Sequence, residues 1–293
     1  MTVVVGYLAG KCGHAPLHLA IEAAHLLETD LAVVTVVPKP WMTPSQAKVD
    51  AEFASYAKQL GDESHAEAKD YLGPLAGDLD IGYHTVHNRT AGDGLVAAIQ
   101  KLDADMLVVG SSSDGGLGQV VLGSTTDWLL HASPVPVALS PRGYRRSKSG
   151  NVARVTCAYS GTSGSLRVVK RAVKLTRRLD VSLRIVSFAI RGRTMYPPRV
   201  GFDIEDSMLE TWAGQLRDKL HKLKKDDVLG DDVEIAVITA NGWDQALDAT
   251  DWAEGEILAL GSTSRRSAKG VFLGSHGAKI IRYSPVPVLV LPT

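Results

Sequence analysis

Two stretches of the chain carry residue types that hold a phosphate group by its oxygens. In the first, Gly110-Ser111-Ser112-Ser113 is followed by nine residues and then Gly123-Ser124-Thr125. In the second, Gly261-Ser262-Thr263-Ser264 is followed by nine residues and then Gly274-Ser275. Glycine admits a ligand close to the backbone, and serine and threonine add hydroxyls. A Gly-Ser pair opening a helix turns unpaired N–H groups and the positive end of the helix dipole toward an anion. The expected phosphate contacts are Gly110, Ser113, Gly123, Ser124 and Thr125 in the first stretch, and Gly261, Ser264, Gly274 and Ser275 in the second. The same residues also make tight turns and a helix N-cap with no ligand, and that reading stands beside the first. Asp114-Gly115-Gly116 follows the first serine run and Arg265-Arg266 the second, so the second stretch is the better matched to an anion.

Other chemistry finds little support. His84 and His87 fall on opposite faces of an expected strand and cannot share a metal. His14 and His18 stand one helical turn apart but lack a third ligand, and are expected as solvated side chains. The chain has no Gly-x-Ser-x-Gly elbow, no Cys-x-x-Cys pair and no lysine placed after the glycine loop as in a P-loop. Trp41, Trp128, Trp212, Trp243 and Trp252 share no motif and are expected as packing anchors. No nucleophile has an identifiable base, so neither a catalytic nor a metal site is assigned.

The elements that must position these loops occur twice. Every member of the first loop, and the Ser133-Pro134-Val135-Pro136-Val137 run after it, returns 151 residues later, ending in Ser284-Pro285-Val286-Pro287-Val288. Gly10 and Gly13 return as Gly161 and Gly164 at the same offset. In the first half, expected strands at Val3 to Leu8, Leu31 to Val37, Ile81 to His87, Met106 to Val109 and Val135 to Leu139 alternate with helices at His14 to Glu28, Gln46 to Leu72, Gly94 to Leu102 and Ser124 to His131. The second half repeats the order, with strands at Arg154 to Tyr159, Ser182 to Ala189, Val233 to Thr239, Glu256 to Leu260 and Val286 to Leu291. Its helices are expected at Ser165 to Leu179, Asp206 to Lys225, Trp243 to Asp251 and from Ser275. Wholly apolar strands alternating with helices mean a parallel sheet covered on both faces, an open doubly wound α/β fold. The expected units are residues 1–141 and 152–293, joined by a solvated connector at 142–151.

Composition agrees with a folded chain. Of 293 residues, 45% are apolar and 22% charged, and the 32 basic and 32 acidic side chains cancel. No global field then recruits nucleic acid or an anionic membrane. No apolar run reaches the roughly 20 residues needed to span a bilayer, and no basic leader precedes Val3, so a cytoplasmic location is expected. Cys12 and Cys157 are too few for a disulfide scaffold.

The strand, the glycine loop, the helix and the closing strand introduced by Pro-Val-Pro together resemble the universal stress protein family, and the doubling resembles its tandem members. The resemblance covers both halves. It implies a flavodoxin-like sheet of order 3-2-1-4-5 in each half, and last strands that meet across a two-fold axis. The halves then form an intramolecular pseudo-dimer, and a chain-to-chain homodimer is a further expectation. It also implies ATP or another adenine nucleotide, with magnesium, its phosphates on the glycine loops and its adenine bordered by Val36 and Phe188 at the ends of the second strands. An unknown protein partner in a stress response follows from the same resemblance. Two positions depart from the family pattern. Ser113 and Ser264 stand where the loop's second glycine would be, and Ala9 and Ser160 match the nucleotide-contacting Asp that ends the first strand. A hydrogen bond to a carboxylate contributes about 1.5–3 kcal/mol, so its loss at Ala9 weakens a nucleotide by roughly one to two orders of magnitude. Ser160 still offers a hydroxyl. Two alternatives remain open: an interaction protein whose glycine loops are structural, and a slow ATPase.

Overall fold

The computed structural model describes residues 2–11, 13–39, 47–114, 116–191, 202–262 and 275–292. The first half runs β1 (Thr2–Gly6), α1 (Ala15–Leu27), β2 (Asp30–Pro38), α2 (Ala47–Leu72), β3 (Ile81–Asn88), α3 (Ala91–Lys101), β4 (Met106–Gly110), α4 (Ser124–Ala132), β5 (Val137–Ser140). The second runs β6 (Arg154–Ala158), α5 (Ser163–Leu179), β7 (Ser182–Ile190), α6 (Phe202–Lys225), β8 (Glu234–Ala240), α7 (Trp243–Asp248), β9 (Glu256–Gly261), α8 (Ser275–Tyr283), β10 (Val288–Leu291). All ten strands join one sheet of order β3-β2-β1-β4-β5-β10-β9-β6-β7-β8. Each half therefore has the expected 3-2-1-4-5 order, parallel throughout, and only β5 and β10 pair antiparallel, Val288 opposite Leu139 and Val290 opposite Val137. The last strands thus cover each other's edges, as the pseudo-dimer requires.

The two last strands start two residues later than expected, at Val137 and Val288. Proline has no N–H to give a ladder. Pro136 and Pro287 instead use their carbonyls, which accept from Leu107 and Leu258 N–H, each at 2.9 Å. The helix α3 starts three residues early because the Thr90 hydroxyl caps it, accepting from Asp93 N–H. Thr162 and Ser165 form a reciprocal capping box that starts α5 at Ser163.

Helices α1, α2, α5 and α6 cover one face of the sheet, and its apolar cluster runs unbroken from Val3 and Leu17 to Leu183 and Leu220. The opposite face is likewise one cluster, with Leu95 and Leu129 of the first half and Leu247 and Ile281 of the second. Both cores cross the β5–β10 seam. Val137, Leu139 and Val288 are fully buried there, and each fully buried aliphatic side chain contributes about 1.5–3 kcal/mol.

Strand register corrects the repeat. Thr2 pairs with Asp30 and Arg154 with Ser182, so the first two strands of each half, and Tyr7 and Tyr159 beyond them, correspond at an offset of 152 residues. The offset falls to 151 only at β4 and β9, after α7, which is shorter than α3. Segment 142–151 is exposed at Arg142, Gly143, Arg145, Lys148, Ser149 and Asn151, as a connector would be, but it is anchored at two points. Pro141 and Ser147 are buried, the Tyr144 hydroxyl bonds the Glu22 carboxylate of α1, and Ser147 N–H donates to the same carboxylate at 3.2 Å. Among the described residues no helix is long and apolar enough to cross a membrane.

Candidate functional site

In each half the strand order reverses between the first and fourth strands, β1 and β4 or β6 and β9, and it is beyond the carboxyl ends of such a pair that doubly wound sheets bind ligands. In the first half this place is flanked by the loop after β1, described at residues 7–11, 13 and 14, and by the described part of the loop after β4. Ser112 N–H donates to Val121 O at 2.9 Å, and Val121 N–H donates to Ser111 Oγ at 2.8 Å, so the base of the second loop is closed. Its tip is tied to the chain after β5: Gly118 N–H donates to Arg142 O, Arg142 N–H to Gln119 O, and the Arg142 guanidinium to Ser113 O. The Ser112 hydroxyl bonds Asp114, and Ser113 is not among the residues in the left-handed region, so serine suits that position.

The two glycines differ in why they are glycine. A Cβ on Gly110 would stand 3.3 Å from Pro16 of α1, so close packing accounts for it. Gly123 has φ −75° and ψ 166°, and a Cβ there would meet only Ser112 at 3.6 Å, an ordinary contact. Neither sterics nor strain asks for glycine at position 123. It caps α4 with no side-chain bond, leaving the first amides of Ser124 and Thr125 at the helix mouth. Asp127 lies 3.9 Å from His131 one turn on, and among the described residues no cluster of three His, Cys, Asp or Glu could hold a metal.

The second loop is described only at Gly261 and the buried Ser262, whose N–H donates to Leu291 O at 3.0 Å, and at Ser275, the first residue of α8. Ser264, Arg265, Arg266 and Gly274 lie outside the described residues.

At the first-strand ends, register equates Ser160 with Leu8 and Ala9 with Gly161, so the expected pairing of Ala9 with Ser160 is one residue out. Ala9 N–H donates to the buried Ser64 of α2 at 3.1 Å, and the exposed Ser160 hydroxyl lies 3.1 Å from that of Thr162. Val36 packs against the backbone of Gly94, where a Cβ would come within 2.5 Å of its methyl. Phe188 is 8% exposed and meets Trp243 edge-on, with 5.7 Å between ring centroids. Both side chains belong to the core on that face. Phe188 is buried, and Val36 stays half-buried.

Sequence reasoning missed a polar cluster beside the β1 loop. Glu67 of α2 accepts from the Tyr7 hydroxyl at 2.6 Å and lies 3.1 Å from His14 Nε2. His14 stacks on Tyr71 at 3.7 Å, and the Tyr71 hydroxyl is 2.7 Å from His18 Nε2. His18 is 6% exposed, not solvated as expected. Burial, then the charges of Arg145, Arg146 and His14, pushes its pKa from 6.5 to about 4. The one signal was His14 and His18 on one helix face, with Glu67 and Tyr71 at the same spacing on another. At the 152-residue offset Glu67 becomes Lys219, whose ammonium stands 2.9 Å from the Cβ position of Gly161. Beside the loop after the first strand, the first half thus has a carboxylate and the second an ammonium.

A family model described as the universal stress protein family matches residues 1–141 and again residues 151–292. The chain belongs to the universal stress protein family. Universal stress proteins of Mycobacterium tuberculosis and Mycobacterium bovis are 51% identical to it over 292 residues, covering 100% of both chains. One of Mycolicibacterium smegmatis is 32% identical over 143 residues, which is 48% of this chain and 99% of that protein. In fold, the chain is similar to the crystal structure of a universal stress protein from Archaeoglobus fulgidus, with TM-score 0.64 at 17% identity, covering 99% of this chain and 98% of the other.

Proposed function

We propose that this tandem universal stress protein binds an adenine nucleotide, ATP with magnesium or AMP, beyond the carboxyl ends of the first and fourth strands, and acts in a stress response through a protein partner without strong catalysis. Gly123 carries the reading. It is a glycine that the fold does not need, at the mouth of a helix whose first amides carry no side-chain cap. A bound phosphate chain supplies the reason. Gly110, Ser113, Ser124 and Thr125 then surround the phosphates, and Gly261, Ser264, Gly274 and Ser275 do so in the second half. The ammonium of Lys219 above Gly161 favours the second site over the first, where Glu67 holds the same place. Magnesium would be held chiefly by the phosphate oxygens.

The test has two parts. Mass spectrometry of the small molecules released on denaturing the purified protein should find an adenine nucleotide. Gly123→Val should then remove calorimetric binding at the first site and Gly274→Val at the second. The backbone of Gly123 is extended and a Cβ there makes only an ordinary contact with Ser112, so a change of melting temperature in Gly123→Ala and Gly123→Val separates a folding defect from a loss of ligand. Unchanged affinity in both variants would leave the loops as structural turns and the protein as an interaction module.

A further inference from the structure

Helix α5 carries Arg167, Lys170, Arg171, Lys174, Arg177 and Arg178, all exposed, and no acidic residue. At 3.6 residues per turn the six fall within about 120° of the circumference, a stripe about 16 Å long. Like charges one turn apart destabilise a helix, and among the described residues none of the six makes an ion pair. Among the described residues Arg171 alone of the six donates a side-chain hydrogen bond, to the carbonyl of Pro292. Duplication does not account for the stripe. The corresponding α1 residues are Ala15, His18, Leu19, Glu22, His25 and Leu26, and segment 142–151 closes over Glu22.

Beside the stripe, along the seam between the halves, lies an apolar groove of about 50 Å³. Its lips are Leu26 and Leu27 of α1 and Leu175 and Leu179 of α5, all half-buried, and Ala138 and Leu289 of the seam strands lie beneath. The one hydroxyl in its lining, that of Thr176, donates to Ala172 O within its own helix. Arg171 stands one turn before Leu175 and Arg178 one turn after it, so these two cations border the lip, and Lys174 stands behind them, one turn before Arg178.

We propose that this groove binds a monomeric single-chain amphiphile with an anionic head, a carboxylate or a phosphate. The chain end enters between the leucines, and Arg171, Lys174 and Arg178 hold the head. Two observations meet here: a row of cations without a carboxylate partner, of which guanidinium groups fit carboxylate and phosphate oxygens two at a time, and an apolar slot that offers an anion nothing. A free anion would leave the groove unused, and a neutral chain would leave the cations unused. The volume admits only the last few methylenes.

Calorimetry of the full chain with laurate and with dodecyl phosphate, each below its micellar concentration, tests the site and tells the two heads apart. One should bind saturably at one per chain. Affinity should rise about fourfold per methylene over the first few carbons of a chain-length series and then level off. Lys174→Glu with Arg178→Glu, both exposed and outside the core, should weaken binding at least tenfold. Ala23→Leu, which fills the groove from α1, should weaken it while leaving the melting temperature within a few degrees. The proposal is overturned if neither amphiphile binds, if dodecanol binds as well, if inorganic phosphate or acetate binds as tightly as the chain-bearing forms, if the charge reversal changes nothing, or if phosphatidylglycerol vesicles alone are bound.

Discussion

Removing His18 should flatten the acid side of this protein's stability profile. Its ring is 6% exposed, its Nε2 meets the Tyr71 hydroxyl at 2.7 Å, and its Nδ1 has no hydrogen-bond partner. The neutral ring satisfies that arrangement. A proton on the second nitrogen would be a buried donor without an acceptor, facing Arg145, Arg146 and His14, and the pKa falls to about 4. The unfolded chain takes up this proton near pH 6.5, the folded chain only near 4. Stability from this group is therefore complete above pH 6.5 and is lost as pH falls toward 4, by roughly 3 kcal/mol over the window. Glu22 acts in the opposite sense, because burial raises its carboxyl against the pull of Tyr144, Ser147 and Arg146. Glu22 is common to both proteins, so the difference between wild type and His18→Leu isolates the histidine. Urea unfolding followed by circular dichroism at pH 7, 6, 5 and 4 should show that difference moving by about 1 kcal/mol per pH unit, toward relative destabilisation of the wild type in acid. A difference that does not change with pH would refute the argument.

Three further outcomes follow from the same structure. Glu256→Ala should destabilise by about 3–5 kcal/mol in chemical denaturation, because Glu256 is 2% exposed and its loss leaves the guanidinium of buried Arg184 without its 2.7 Å partner. Cys157, whose thiol burial pushes up to about 12, should react with Ellman's reagent only on unfolding in a Cys12→Ser background, and rapid native labelling would contradict its place in the core. Phosphate release from ATP with magnesium or manganese should stay below one turnover per minute. Faster release that is lost on Asp114→Ala or Asp127→Ala would make the protein an enzyme.

The architecture was legible because its signals are local. Apolar runs such as Leu31 to Val37 mark strands covered on both faces, and the Pro-Val-Pro runs mark the last strand of each half. What stayed hidden depends on partners far apart in the chain. Tyr144 and Ser147 read as parts of a polar connector until Glu22, 122 and 125 residues away, is placed beside them. The His14, His18, Glu67 and Tyr71 cluster needs two helices brought together, and the i, i+4 pair on each does not announce that the two meet. At the candidate site, the first glycine loop falls where its spacing predicts. The first-strand match failed because Gly10 and Gly161 agree at 151 residues while the strands beneath them pair at 152. A glycine can be kept by a turn as well as by a register. Val36 and Phe188 lie on the second strands, where alternation turns both side chains toward one core face, Phe188 buried and Val36 half-buried.

The differences between the halves share a direction. Where the first has Glu67 beside Tyr7 and His14, the second has Lys219 over Gly161. Asp105, an exposed acceptor for Thr2 N–H, stands opposite Glu256, which anchors Arg154 and Arg184 beneath β6. Glu22, closed under Tyr144 and Ser147, stands opposite the exposed Lys174. Two copies under one constraint would drift without sign, yet here carboxylates and cations part between the halves while the chain stays neutral as a whole. An interior sheet shared across β5 and β10 makes this possible, since neither half must be soluble or stable alone. The first half can then close its α1 face with its own chain, while the second keeps Lys219 over Gly161 and the exposed cations of α5.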